Sequence, residues 1–164
     1  MTNNTLSLAT FYNGWNVYQQ HLVTAIAPLS PEQLALRPAP HLWSAGMIAA
    51  HIIATRVWWF HLWMDEGNAD LAPLAAWDEP EAPVRSSTEL VAGLESTWQM
   101  IQHALSHWTP ADLKQTFQKP GDSTGTPKLR SRQWIIWHLL EHDLHHGGEL
   151  SLILGMHNLS AIDL

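Results

Sequence analysis

The sequence predicts an all-α fold, a four-helix bundle, and three observations carry that prediction. Apolar residues recur at three- and four-residue spacing in four separate stretches, prolines and turn-forming residues gather between those stretches, and 46% of the 164 residues are hydrophobic. A chain of this length and composition can fill a core without covalent staples, so a single domain over residues 1–164 is expected.

The first stretch, residues 6 to 27, sets Phe11, Trp15, Tyr18, Leu22 and Ile26 in one helical stripe that Pro28 and Pro31 end. A proline-rich connector reaches Leu42, with room for one short turn capped by Ser30 and opened by Pro31. Ser44 caps the second helix, predicted to run to about Glu66, where Met47, Ile48, His51, Thr55, Trp58 and Leu62 share a face and Gly67 is the stop. Residues 67 to 86 read as a long loop around Trp77, of a length that usually covers something. The third helix, from about Ser87 to Trp108, lines up Leu90, Leu94, Thr97, Trp98, Ile101, Leu105 and Trp108. Thr109-Pro110 punctuates it, and the turn-rich segment 114–129 suggests a short irregular hairpin. Ser131 begins the last helix, predicted to reach Leu154 and to bury Ile135, His138, His142, His146, Ile153 and Met156, with Leu152 on the same side.

Composition excludes several classes of function. There is no cysteine, which removes disulfides, zinc–thiolate sites and cysteine nucleophiles, so a bound metal must rest on nitrogen and oxygen. With 15 acidic against 8 basic side chains the formal charge is −7, and only Lys128, Arg130 and Arg132 lie close together, so no nucleic-acid partner is expected. Arg130 and Arg132 open the last helix, where they can hold a substrate carboxylate but where solvent exposure is the expected state. The N-terminus lacks a basic-then-apolar leader and no window is apolar enough to span a bilayer, which predicts a cytoplasmic protein with no membrane partner.

Ten tryptophans and eleven histidines stand out against a charged fraction of 14%. From His138 to Glu149 the last helix places His138, His142, His145, His146 and Glu149 within about 100° of arc at 3.6 residues per turn. Two imidazoles one turn apart, His142 and His146, can direct nitrogens at a common point, as a divalent metal requires. A third ligand must come from another helix, and His51 is the candidate because it sits among apolar residues in mid-helix. His138 and His145 stand beside this trio as alternative ligands or as partners of the ligand rings, and Glu149 can orient a ring or act as a base. Trp58 and Trp134 are candidate walls of an apolar pocket. His103 and His107 have the same i, i+4 spacing but lie off the apolar face of their helix, which predicts exposure. His138-Leu-Leu-Glu-His142 formally matches the inverted zinc-protease pattern, but little chain follows it to supply the distant acidic ligand. No glutamate is followed by histidine three residues later, which disfavours a di-iron centre.

Trp43-Ser44, His51 in mid-helix and a final helix reading HxxxHxxHHxGE resemble the DinB/YfiT-like superfamily over nearly the whole chain. Gly147-Gly148-Glu149 stands where that family more often has arginine, glycine and glutamine. The resemblance implies an up-down-down-up bundle, often a homodimer, with one divalent ion on His51, His142 and His146. It also implies thiol-dependent chemistry, since relatives of known activity are S-transferases and isomerases using low-molecular-weight thiols such as bacillithiol or mycothiol. The expected function is therefore a metal-dependent enzyme of thiol S-transferase or hydrolase type acting on a small molecule. Zinc or nickel is the expected metal and iron is admissible, because three imidazoles accept all of them. Two alternatives are a non-catalytic bundle whose metal only ties helices together, and a metal-free dimer with a hydrogen-bonded histidine cluster.

Overall fold

Helix starts in this chain are written in serines. The computed structural model describes residues 7–120 and 128–164, and within them five helices begin after a serine whose hydroxyl accepts from the backbone N–H three residues on. They are α1 (Leu8–Phe11), α3 (Pro31–Leu34), α4 (Ala45–Arg56), α5 (Ser87–His107) and α6 (Arg132–Met156); α2 (Asn13–Ile26) follows α1 after one break. Ser30 with Gln33 and Ser86 with Glu89 complete reciprocal capping boxes, which is why α5 is capped by Ser86 and not Ser87.

The first predicted helix is two helices. The chain turns at Tyr12, which leaves Phe11 76% exposed while Trp15, Tyr18, Leu22 and Ile26 are buried. α4 continues through a π-helical turn, Val57–Leu62, and ends before the predicted Glu66, with Asp65 and Gly67 both at positive φ. The loop after it holds a 3-10 segment, Ala69–Ala76, that lies against α4 and its π turn and buries Leu71. The expected hairpin is present as β1 (Thr116–Gln118) paired antiparallel with β2 (Leu129–Ser131), Phe117 opposite Arg130. Its predicted turn, residues 121–127, lies outside the described residues.

The protein is mostly helical: α4 packs on α5 and α6, and α2 packs on the same two helices. One apolar cluster gathers Leu22, Ile26, Ile53, Leu94 and Ile153, and a second gathers Trp15, Phe60, Trp98, Ile101 and Ile135. Where they meet, the wholly buried Arg56 and Asp143 form an ion pair. The α5 stripe is buried as expected. On α4 and its π turn the predicted face is split: Ile48 is buried, but Met47, Trp58 and Leu62 are each more than a third exposed, while Ile52, Ile53 and Arg56 from outside that face point inward. α4 is apolar on nearly all sides, so its periodicity cannot say which side is the core. On α6, Leu152 and Met156, four residues apart, lie on the outer face and are exposed, while Leu150, Ile153 and Leu154 beside them are buried. No described helix is long and apolar enough to cross a membrane.

Candidate metal centre

The close packing of α4 on α6 brings His51 to His142 and His146, which stand one turn apart. One nitrogen from each of the three rings lies within 4.8 Å of the other two. His51 Nε2 is 3.0 Å from His142 Nε2, and the His142 and His146 ring centres are 4.3 Å apart. All three rings are half-buried.

Two carboxylates decide which nitrogens are offered. His51 Nδ1 lies 2.7 Å from Asp78 Oδ2, and His146 Nδ1 lies 2.7 Å from Glu149 Oε2. Each contact requires the proton on Nδ1, which leaves the Nε2 lone pair free. This carboxylate–histidine arrangement is how ligand rings are commonly held toward a metal. His142 has no such partner: its Nδ1 is buried with no hydrogen bond among the described residues. Burial, and then the neighbouring His146 and His51, push its pKa down to about 3. Burial also lowers the pKa of His146, although Glu149 acts in the opposite sense. Both rings are therefore held neutral, the form that ligates metal.

The sequence profile of the DinB superfamily matches residues 15–150. The chain belongs to the DinB superfamily. Among solved structures it is similar to a DinB-like protein of Bacillus cereus ATCC 10987, at 21% identity over 98% of this chain and 99% of that one, with a TM-score of 0.72. It is also similar to a DinB-like protein of Bacillus subtilis, at 16% identity over 90% of each chain, with a TM-score of 0.64. No curated protein matches the chain.

In this DinB-superfamily chain the residues present fit a divalent ion. His51 Nε2 and His142 Nε2 face each other across 3.0 Å and share at most one proton, which leaves a buried nitrogen of His142 without a partner. A cation accepting from both Nε2 atoms would take the two facing lone pairs at once, with each ring's proton on Nδ1, while His142 Nδ1 stays without an acceptor among the described residues in either case.

Of the other sequence candidates, His138 lies 6.4 Å from His142, centre to centre, and stacks on Trp134 at 4.7 Å. It lines a cleft with His51, Thr55, Trp58, Trp59 and His142. Trp58 thus borders the site as expected, whereas Trp134 stands behind the cleft, packed on two of its lining residues, His138 and Trp59. His145 is exposed and approaches Glu149 at 3.5 Å; with His146 it forms a second, more open grouping of possible ligands. Glu149 is engaged by both histidines and faces neither ring's free side. His103 and His107 are exposed on α5. Arg132 corrects the expectation of exposure: it is buried, donates to the Asp112 carbonyl at 2.9 Å and lies over Trp108 at 4.3 Å. Arg130 is half-buried and lies over Trp134 at 4.5 Å, so neither arginine points at the histidines. Sequence reasoning missed Asp78 and Trp43, the latter packed on His51 at 4.7 Å. Both stand outside any helical stripe, and only Trp43 carried a signal, through the Trp-Ser pair that opens α4.

Proposed function

We propose that the chain binds one divalent metal ion through His51, His142 and His146, and that it is a metal-dependent enzyme of thiol S-transferase or hydrolase type acting on a small molecule. The observation that carries this reading is the convergence of three imidazoles, two of them with Nδ1 held by Asp78 and Glu149. When bound, an ion on three neutral ligands keeps its full charge and an open position, and so acidifies a water or a low-molecular-weight thiol that reaches it. Asp78 and Glu149 fix the ring planes, Trp43 shields one side, and the cleft beside His138 and Trp58 supplies the approach. The absence of cysteine accords with a thiol arriving as cosubstrate. Zinc and nickel suit the donor set best, with iron acceptable.

The same reading takes the four longer helices, α2, α4, α5 and α6, as an up-down-down-up bundle forming a single cytoplasmic domain. It also takes the chain as a homodimer, for which exposed Phe11, Trp137 and Leu144 on one side of α1 and α6 offer an apolar face. Light scattering on the purified protein tests the dimer.

Elemental analysis tests the site. The purified protein is expected to carry about one equivalent of divalent metal. His142→Ala should lose it, and unchanged metal in that variant overturns the assignment. Turnover is tested with a small thiol and 1-chloro-2,4-dinitrobenzene, and with a p-nitrophenyl ester, each before and after metal removal. Because His51 and the α6 histidines would tie two helices through one ion, a second reading is a metal that serves stability alone. Metal content with no chelator-sensitive turnover, and a melting temperature that falls on chelation, supports that second reading.

A further inference from the structure

On the side of His51 away from His138 lies a cavity of about 360 Å³, bounded by the segment after α3, the start of α4 and the loop before α5. Its size suits a small organic molecule. His51 reaches its wall, so the cavity adjoins the histidine cluster. Trp43, Met47 and Trp77 supply apolar surface.

The wall also carries two of the five arginines of a chain whose formal charge is −7. The other three have occupations elsewhere: Arg56 pairs with Asp143, Arg132 is packed on Trp108, and Arg130 lies over Trp134. Arg37 has no carboxylate within 4.0 Å among the described residues, and its charge meets only the Leu42 carbonyl and the Met47 sulfur. Arg85 is held from one face by the Trp77 ring, 4.6 Å away, and contacts Glu89 at 3.3 Å through Nη1. Its Nε is buried with no hydrogen-bond partner among the described residues. A guanidinium fixed by stacking, with a desolvated donor unused, is prepared for an oxyanion. Opposing charge on the wall comes from Asp78, already taken by His51, and from Glu79, which also borders the cleft beside His138.

We propose that this cavity binds a small organic carboxylate, with Arg37 and Arg85 holding the anionic group and Trp43 and Trp77 walling its apolar body. This names a substrate class for the site proposed above and rests on that reading for its catalytic meaning, while the binding itself depends on the arginines. Benzoate is the probe and benzamide its neutral counterpart, each titrated into 15N-labelled protein while the indole N–H signals are followed. The titration is run on the protein as purified and again after metal removal, with the chelator dialysed away.

Benzoate should shift the Trp43 and Trp77 signals in both preparations and leave that of Trp137 in place, and benzamide should shift none. Arg85→Met and Arg37→Gln should each weaken benzoate binding by about tenfold, the scale of one charge-assisted contact. Arg37 is exposed, so Arg37→Gln remains informative if Arg85→Met fails to fold. Equal binding of benzoate and benzamide, undiminished binding in the arginine variants, or binding that vanishes with the metal would each overturn the proposal. Arg-dependent binding in a protein that carries no metal as purified and takes up none when zinc or nickel is added would sustain the cavity and sink the metal reading instead.

Discussion

A ligand histidine is only as well aimed as the group that holds its other nitrogen. Asp78 does this for His51 from a loop 27 residues further along the chain. Asp78→Ala should therefore leave metal stoichiometry unchanged but weaken affinity by about 10–100-fold, measured by competition with a chromophoric chelator. Unchanged affinity would mean that His51 is aimed by packing alone. His142 sets a second expectation. Burial first, then neighbouring positive charge, takes its pKa from 6.5 down to about 3. Below 6.5 the unfolded chain binds a proton that the folded ring refuses, so the metal-free protein loses stability as pH falls, until the folded ring also protonates near pH 3. Urea midpoints at pH 7 and pH 5 should differ in that sense, and His142→Gln should reduce the difference. His142 and His146 could be read from sequence because α6 sets them one turn apart, and His51 because it interrupts the apolar run of α4, whereas Asp78 follows no period and became visible only when the loop was seen against α4.

Neighbouring glycines on α6 separate packing from propensity at the level of the helix. A Cβ at Gly147 would overlap Tyr18 Oη on α2, whereas a Cβ at Gly148 meets nothing within 4 Å. Gly147→Ala should accordingly destabilise by about 1–3 kcal/mol through forced separation of α2 from α6. Gly148→Ala, exposed in the same helix, should stabilise by about 0.5–1 kcal/mol from helix propensity. Thermal unfolding of both variants checks the pair, and equal effects would show that α2 yields without cost. The same contrast explains how far the elements could be read in advance. α5 has one apolar face and one polar face, so its buried stripe was legible residue by residue. α4 has no polar face to define the other side, and of the exposed residues on the stripe read from sequence, Trp58 borders the cleft beside His138 and Met47 the cavity on which His51 also opens. The break at Tyr12 carries no proline or glycine at the break itself, and the apolar spacing continues straight through it.

At the Arg56–Asp143 pair all four longer helices meet through polar atoms. Arg56 Nη2 donates to Asp143 Oδ2 at 2.7 Å, linking α4 to α6. Trp15 and Gln19 of α2 contact Asp143 and Arg56 at 2.7 and 2.8 Å, and the Leu94 carbonyl of α5 accepts from Arg56 at 3.3 Å. Asp143 also follows His142 directly, so the network that joins the two apolar clusters fixes the helix that carries two of the candidate ligands. A lone arginine in the apolar run Ile-Ile-Ala-Thr-Arg-Val-Trp-Trp and a lone aspartate between histidines and leucines were the signals in the sequence, but neither names its partner. Removing one member leaves a charge in the interior without its counterion. Arg56→Met and Asp143→Ala should each cost about 3–5 kcal/mol, measured by urea unfolding of the metal-free protein. Replacing both, Arg56→Met with Asp143→Leu, removes the stranded charge, and its cost should fall well short of the sum of the single losses. Recovery should stop short of the native value, because the Trp15 indole N–H loses its acceptor and Gln19 its donor. Strict additivity of the two losses would mean that the charges do not act as a pair, and that the helices are joined at this point by packing alone.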